Sequence, residues 1–283
     1  MIDFFATPLW EQLGWGAMAV AAWMLLLWLL HFPLKNAAIV DFGWAIATGG
    51  LGVAYAIAAM QSSGATLRLM FLMLICGIWS LRLGLYLLVT RVIGAREEGR
   101  YQELRRQWAG GNIPLRFLMF FEFQALTCVL LSLPFLLAAR NPAPELSVLE
   151  WVAVGVWAVG VLGESVADWQ LSRWVADPAH RGKTFRGGLW RYSRHPNYFF
   201  EWLVWAGFGL FALAAPNGYW GLLSPALILY FILRVTGIPA TEAQAVRSRG
   251  DDYRDYQNTT SAFLPWFPKD AEHQARKGAR EGI

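Results

Sequence analysis

The sequence predicts an all-α integral membrane protein. It is expected to be a bundle of about seven transmembrane helices, with the N-terminus outside and the C-terminus cytoplasmic. Composition is the first reason. The chain has 283 residues, of which 56% are hydrophobic and 16% charged, with a mean hydropathy of +0.36; a soluble domain carries about 25% charged residues. The second reason is recurrence of apolar segments about 20 residues long, each enough to cross a hydrocarbon core of about 30 Å. The third is where the arginines fall between those segments.

The expected spans run about Leu13–His31, Ala37–Met60, Leu67–Val89, Phe117–Ala139, Leu146–Asp168, Pro196–Ala214 and Tyr219–Val235. The first is preceded by Asp3 and Glu11 and lacks a basic flank, so it reads as a retained span and not a cleaved signal. Helices satisfy their own backbone groups, which lipid requires of every open-chain segment.

The connections set the orientation. Gly94–Arg116 carries Arg96, Arg100, Arg105, Arg106 and Arg116. Leu171–His195 carries Arg173, Arg181, Lys183, Arg186, Arg191 and Arg194, and the tail beyond Val235 is also basic. The alternate connections hold no cation apart from a solitary Arg140. Seven spans with an outside N-terminus place all three basic segments in the cytoplasm, as the positive-inside rule asks. The segment Arg96–Arg106 mixes arginines with glutamates and reads as a solvated turn or short helix. Gly237–Arg249 reads as a helix lying on the cytoplasmic face, and about 269–283 as a polar tail. The chain is expected to form a single domain, 1–283, with a cofactor-binding half near 164–268.

The net charge of +4 follows from this topology, and nucleic acid is not an expected partner. Cys76 and Cys128 both fall in apolar segments, and no Cys/His spacing resembles a metal site.

One stretch concentrates the chemistry. Gly182–Glu201 begins as a basic loop, with Lys183, Arg186, Arg191 and Arg194 around Gly187 and Gly188, and enters an apolar helix at Pro196. Proline suits a first helical position, where its missing N–H costs nothing. Asn197 and Glu201 then lie one turn apart on one helix face, as do Glu164 and Asp168 on the preceding span. Together with Arg234, these groups gather at one depth near the cytoplasmic surface. Glycines allow close backbone approach, guanidinium forks grip phosphate oxygens, and a helix N-terminus adds positive charge. The pattern suits a phosphate-rich ligand, and it is compatible both with NADPH and with an adenosine-containing methyl donor.

Each group also has a plainer reading. Asp41 and Arg82 could neutralise each other between spans, and Glu122 with Gln124 could be a structural pair. Arg91, Arg96 and Arg116 fit headgroup contacts, the basic loop could be a positive-inside flank, and His195 a capping residue. The tryptophan excess fits an interfacial belt.

The run Gly187–Tyr198 with Glu201 resembles the C-terminal signature of the membrane steroid 5-alpha-reductase-like superfamily, and in particular its bacterial branch. The resemblance extends upstream to Glu164–Gln170. Downstream it takes in Arg234, Gly237-Ile238-Pro239, Glu242, and the segment from Asp252-Tyr253 through Tyr256 and Thr260 to Trp266. It covers about Glu164–Pro268, and less specifically Asp41–Trp44 and Arg82–Tyr101. It implies a seven-helix fold holding NADPH in a cytoplasm-facing cavity, with a lipid-like enone entering from the bilayer. Asp168 and Asn197 would contact the cofactor and Arg234 its pyrophosphate. Glu201 would support the nicotinamide end, and Tyr253 and Tyr256 would close a lid. Glu164, Lys183, Arg186, Tyr192, Arg194 and His195 complete the expected cofactor set. Steroid-reducing members carry a Gln-Glu pair in an early helix, which this sequence lacks. Asp41 and Tyr86 are then the candidates for the acid and the proton donor, with Asp41 backing Tyr86.

The expected activity is NADPH-dependent reduction of a conjugated carbon–carbon double bond in a steroid-like or other lipid enone, in a multi-pass protein of a bacterial inner membrane. A phenol or protonated carboxyl in a dry cavity would donate to the enolate oxygen. The alternative is an S-adenosylmethionine-dependent membrane methyltransferase of the isoprenylcysteine or phospholipid type, which shares the Arg-His-Pro-x-Tyr motif. There, the doubled acid that usually follows the last span is Glu242-Ala243 in this chain. A non-catalytic lipid-binding protein is the third reading.

Overall fold

The computed structural model describes residues 3–269, and every regular element among them is helical. Eleven α-helices follow in chain order: α1 Leu9–Leu34, α2 Ile39–Ser63, α3 Leu67–Leu87, α4 Gly99–Gln107, α5 Ile113–Leu131, α6 Leu133–Ala139, α7 Val148–Ala176, α8 Pro196–Ala212, α9 Leu223–Tyr230, α10 Ile238–Arg249 and α11 Asp251–Thr259. Six helical runs are long and apolar enough to cross a membrane: Leu9–Leu34, Ile39–Ser63, Leu67–Val92, Ile113–Ala139, Val148–Ala176 and Gly218–Arg249. The protein is a multi-pass integral membrane protein. At the remaining expected span, α8 is 17 residues long. The expected polar tail beyond Lys269 lies outside the described residues.

The chain divides into two compact units. The first comprises residues 3–151 and 209–224. Its centre is α2, where glycines replace side chains at the contact with α3: a Cβ at Gly49 would lie 2.8 Å from the Cys76 carbonyl oxygen, and one at Gly52 would lie 2.5 Å from Cys76 Sγ. The backbones of α2 and α3 therefore approach closely, as small residues allow in membrane helices. Helix α1 shows the lipid pattern. Gly16, Val20, Met24, Leu27 and His31 form a buried stripe at helical spacing, while Met18, Leu25, Leu26, Leu29 and Leu30 face outward. An apolar outer face is stable only against lipid or another apolar surface.

Buried ions and hydrogen bonds fasten the loops of this unit. Arg68 pairs with Glu150 at 2.5 Å with both side chains almost wholly buried. Arg68 also donates to the Ala143 and Glu145 carbonyls, and Glu150 accepts from Ser147. The solitary Arg140 holds the N-terminal turn, donating to the Thr7 carbonyl and to Gln12 Oε1. The mixed-charge segment does fold into a short helix, α4. Glu97 holds the entry to α2 by accepting from Ala37 N–H at 2.9 Å, and it binds Arg105 through two nitrogens.

Asp41 belongs to this same fastening, which corrects two expectations. Its carboxylate accepts from the Tyr101 hydroxyl at 2.7 Å, from Arg91 at 3.2 Å and from Arg100. It sits in the first turn of α2, where a carboxylate is favoured by the helix dipole. Its partners are therefore Arg91 on the α3–α4 connection and Arg100 and Tyr101 in the first turn of α4, and neither Arg82 nor Tyr86. The Tyr86 ring instead has the Arg82 guanidinium carbon 5.7 Å from its centroid.

The second unit comprises residues 152–208 and 225–269. Here α7 and α8 pack antiparallel through glycines. A Cβ at Gly160 would lie 2.7 Å from Val204 N, one at Gly163 would strike the Phe200 ring, and one at Gly207 would lie 2.9 Å from the Trp157 backbone. Helix α7 continues two turns past the expected end at Asp168, because Gln170–Arg173 are ordinary helix formers and only Asp177-Pro178 stops the chain. At the other end, α9 passes into a π-helical turn, Phe231–Val235, and the chain then bends at Gly237. A Cβ there would lie 2.6 Å from the Ile232 carbonyl oxygen, so the bend needs glycine.

Candidate functional site

The antiparallel α7–α8 packing decides which polar groups meet. Asp168, on the last part of α7, comes level with the first turn of α8. There Asn197 Nδ2 donates to Asp168 Oδ1 at 3.3 Å. Asn197 Oδ1 meanwhile accepts from Tyr198 N–H. Glu164, one turn earlier on α7, is buried like Asp168. Glu201, one turn into α8, accepts from Trp205 Nε1 at 2.9 Å. The unit thus gathers three carboxylates and an amide around one helix pair, as the spacing predicts.

The basic loop lies on the end of α7. Leu189 N–H donates to Gln170 Oε1 at 2.9 Å, and Trp190 Nε1 donates to the Ala167 carbonyl at 3.0 Å. Gly188 makes this possible with a φ of +56°; a Cβ there would strike the Gln170 amide.

From this platform the loop is tied to α10, α11 and the segment after them. Arg194 Nε donates to Glu242 at 2.6 Å, and its Nη1 donates to both the Gln257 and Thr260 carbonyls. Glu242 also meets His195 Nε2 at 3.3 Å and accepts from Gln257 Nε2 at 2.8 Å. Glu242 is thus the hub of a four-residue cluster. Burial pushes the His195 pKa down, partly offset by Glu242, so the imidazole is held neutral near pH 7. Its ring stacks on Tyr198, whose hydroxyl meets Thr241 Oγ1 at 3.1 Å.

The second tie is Arg186, which pairs with Asp255 at 2.6 Å and Asp252 at 2.7 Å. Asp252 also accepts from Thr184 N–H at 2.7 Å, and hydrogen bonding from Thr184, with help from Arg186, lowers its pKa. Tyr253 and Tyr256 are buried between these ties, where burial drives the Tyr253 phenol up to about 12 and raises Tyr256 as well. The Tyr256 hydroxyl donates to the Trp190 and Ser193 carbonyls.

The expected cofactor set therefore divides. Glu164, Asp168, Asn197 and Glu201 gather on α7 and α8. Arg186, Arg194, His195 and Tyr256 hold the C-terminal segment in place, and Tyr253 packs beside them. Lys183 and Arg234 are exposed with no side-chain hydrogen bond among the described residues. Tyr192 is partly exposed, with its ring against Phe267. Asp41 and Tyr86 belong to the first unit. Glu242 and Gln257 escaped the reading as partners of the basic loop because they lie 48 and 63 residues beyond Arg194. A signal for α11 was present: Asp252/Asp255 and Tyr253/Tyr256 each repeat after three residues, giving one acidic and one aromatic stripe.

A multi-pass helical membrane protein with buried acids and a half-buried amide on an apolar helix pair, beside a folded basic loop, is the class these features define. The chain belongs to the DUF1295 family, described as "Protein of unknown function", which matches residues 27–260. It is also similar to the uncharacterized protein C594.04c of Schizosaccharomyces pombe, with 25% identity over 268 residues covering 84% of this chain and 75% of that protein. No solved structure matches it.

Proposed function

We propose that this protein is an NADPH-dependent membrane reductase of a conjugated carbon–carbon double bond in a steroid-like or other lipid enone. The observation that carries the reading is the Asp168–Asn197 pair, a buried carboxylate held by a half-buried amide, with buried Glu164 one turn away on α7. Burying acids in an apolar helix pair is costly, and such groups in membrane helices default to ligand or ion handling. A carboxylate and an amide held by one another suit ribose hydroxyls and a carboxamide. The exposed cations Lys183 and Arg234 suit phosphate oxygens. These residues fit the cofactor, which when bound supplies the hydride. Asp168 and Asn197 would orient it, and Glu201, fixed by Trp205, would support the nicotinamide end. Tyr86 is assigned the protonation of the enolate oxygen, without support from Asp41. In this reading α8 is a seventh span, the N-terminus is outside, the basic connections are cytoplasmic, and the membrane is a bacterial inner membrane.

The second reading, a methyltransferase using S-adenosylmethionine, draws on the Glu242 cluster, which joins the shared Arg-His-Pro motif to the helix after the last apolar run. Thermal unfolding of the purified protein in detergent separates the two. A ligand at 100 times its Kd stabilises the folded state by about 2.7 kcal/mol. NADPH should raise the melting temperature, S-adenosylmethionine should not, and Asn197→Ala should abolish the NADPH effect. The reverse result selects the methyltransferase, and no shift with either ligand leaves a non-catalytic protein. Tyr86→Phe should spare the NADPH shift while lowering turnover of the enone; intact turnover removes Tyr86 from the mechanism.

A further inference from the structure

The segment after α11 presents large apolar side chains that no described residue covers. Leu264, Trp266 and Phe267 are 60%, 72% and 75% exposed. They lie on an irregular segment that contains Pro265 and Pro268, and the segment is held by hydrogen bonds. Trp266 N–H donates to the Tyr192 carbonyl at 2.9 Å, and Arg194 N–H donates to the Ser261 carbonyl at 2.8 Å. Ser193 Oγ donates to the Phe263 carbonyl at 2.9 Å. Phe263 itself is buried, with its ring against Phe199 and Trp202 of α8. The exposed side chains are therefore rigidly presented beside the point where the chain enters α8.

Holding three large apolar groups in water is costly, and a partner that buries them removes that cost. Charge beside the patch identifies the partner. Lys269 follows two residues after Phe267, and Arg191 precedes the residue whose carbonyl holds Trp266. Both cations are exposed. Tryptophan and phenylalanine flanked by lysine and arginine match the boundary between acyl chains and anionic headgroups. We propose that the Leu264–Phe267 segment is an interfacial anchor seated in the headgroup–acyl boundary of an anionic bilayer. The inference rests on α8 being a membrane span, as in the reading above, and it is independent of which cofactor binds.

The test places an environment-sensitive fluorophore on Leu264→Cys, with Asp251→Cys as a control. The Asp251 side chain is 94% exposed, at the start of α11. Cys76 and Cys128 are buried, so the introduced thiol is the one that labels. The full chain is reconstituted in vesicles of phosphatidylcholine and phosphatidylglycerol at about 3:1. The label at 264 should be quenched at least about twofold more by lipid carrying a shallow acyl-chain spin label than the label at 251, and should be protected from aqueous iodide. Adding Trp266→Ser and Phe267→Ser should abolish that protection. Iodide quenching equal to that at 251 would overturn the proposal. So would protection from iodide without quenching by the lipid, since the patch would then be covered by protein, either a second copy or the chain's own C-terminal residues. Equal lipid quenching in purely zwitterionic vesicles would overturn the anionic requirement. Loss of the NADPH thermal shift would leave this result untouched, so the two readings fail separately.

Discussion

Replacing Glu242 by alanine should unfasten the C-terminal segment. Three donors converge on this carboxylate: Arg194 at 2.6 Å, Gln257 at 2.8 Å and His195 at 3.3 Å. The Arg194 side chain is 10% exposed and that of Glu242 15%, so water cannot replace the lost acceptor fully. A hydrogen bond to a charged group contributes about 1.5–3 kcal/mol, and removing one member of a fully buried pair costs about 3–5 kcal/mol. Arg194 retains the Gln257 and Thr260 carbonyls, which places the expected loss near the overlap of those ranges, about 3 kcal/mol. Glu242→Gln keeps the shape and one acceptor oxygen and should lose less.

A domain of 150–250 residues moves by about 2–4 °C per kcal/mol, so Glu242→Ala should melt about 6–12 °C below the parent in detergent. The double cycle with Arg194→Met isolates the pair, and a coupling of about 1.5 kcal/mol or more is expected. Proteolysis should also appear near Gly250, between α10 and α11. A melting temperature within about 2 °C of the parent, or a coupling below about 0.5 kcal/mol, would refute the claim that Glu242 organises this region.

Two further outcomes follow from the same geometry. Arg68→Met leaves Glu150 without a counter-charge in a site where both side chains are almost wholly buried, and should cost about 3–5 kcal/mol; restoration of stability by the added change Glu150→Gln would identify the stranded charge as the cause. Asp252 has its folded-state pKa lowered by Thr184 and Arg186, so its stabilising effect is complete above the unfolded-state value of about 3.9 and is lost as pH falls through the lower folded value. Asp252→Asn should therefore be less stable than the parent at pH 7 and should flatten the acid limb of a melting-temperature profile.

Transmembrane helices were legible because lipid imposes length and apolarity on every span, and both are visible in the order of residues. The meeting of Asp168 with Asn197 was legible for a related reason. One-turn spacing puts Glu164 with Asp168, and Asn197 with Glu201, on single faces. An antiparallel neighbour then aligns the faces. What escaped was the neutralisation of charge at long range. Counting cations between Gly182 and Glu201 marked Arg186 and Arg194 as phosphate ligands, yet their carboxylate partners stand 48–69 residues downstream. Asp41 escaped in the same way. Its position in an apolar run pointed to a buried acid, and its partners Arg91, Arg100 and Tyr101 lie 50–60 residues beyond it. Spacing along a helix reports its own face, and is silent about a loop that folds back onto that helix.

The two engaged arginines differ in how readily a ligand could reclaim them. Arg186 is 36% exposed and its partners Asp252 and Asp255 are 44% and 60% exposed. Ion pairs in that setting contribute about 0–1 kcal/mol, which a phosphate dianion can match. Arg194 is nearly buried and is fixed by three acceptors, so exchanging Glu242 for phosphate would cost the fastening of α10 and α11. Arg186 is therefore available to a phosphate-bearing ligand, whereas Arg194 is a structural tether. Arg186→Gln should weaken NADPH binding about tenfold or more at low salt while changing the ligand-free melting temperature by less than about 2 °C. Arg194→Gln should lower the ligand-free melting temperature before any ligand is added. If Arg194→Gln left the ligand-free protein as stable as the parent and selectively removed the NADPH shift, the division would be inverted, and Arg194 would be the phosphate ligand that its position before Pro196 predicts.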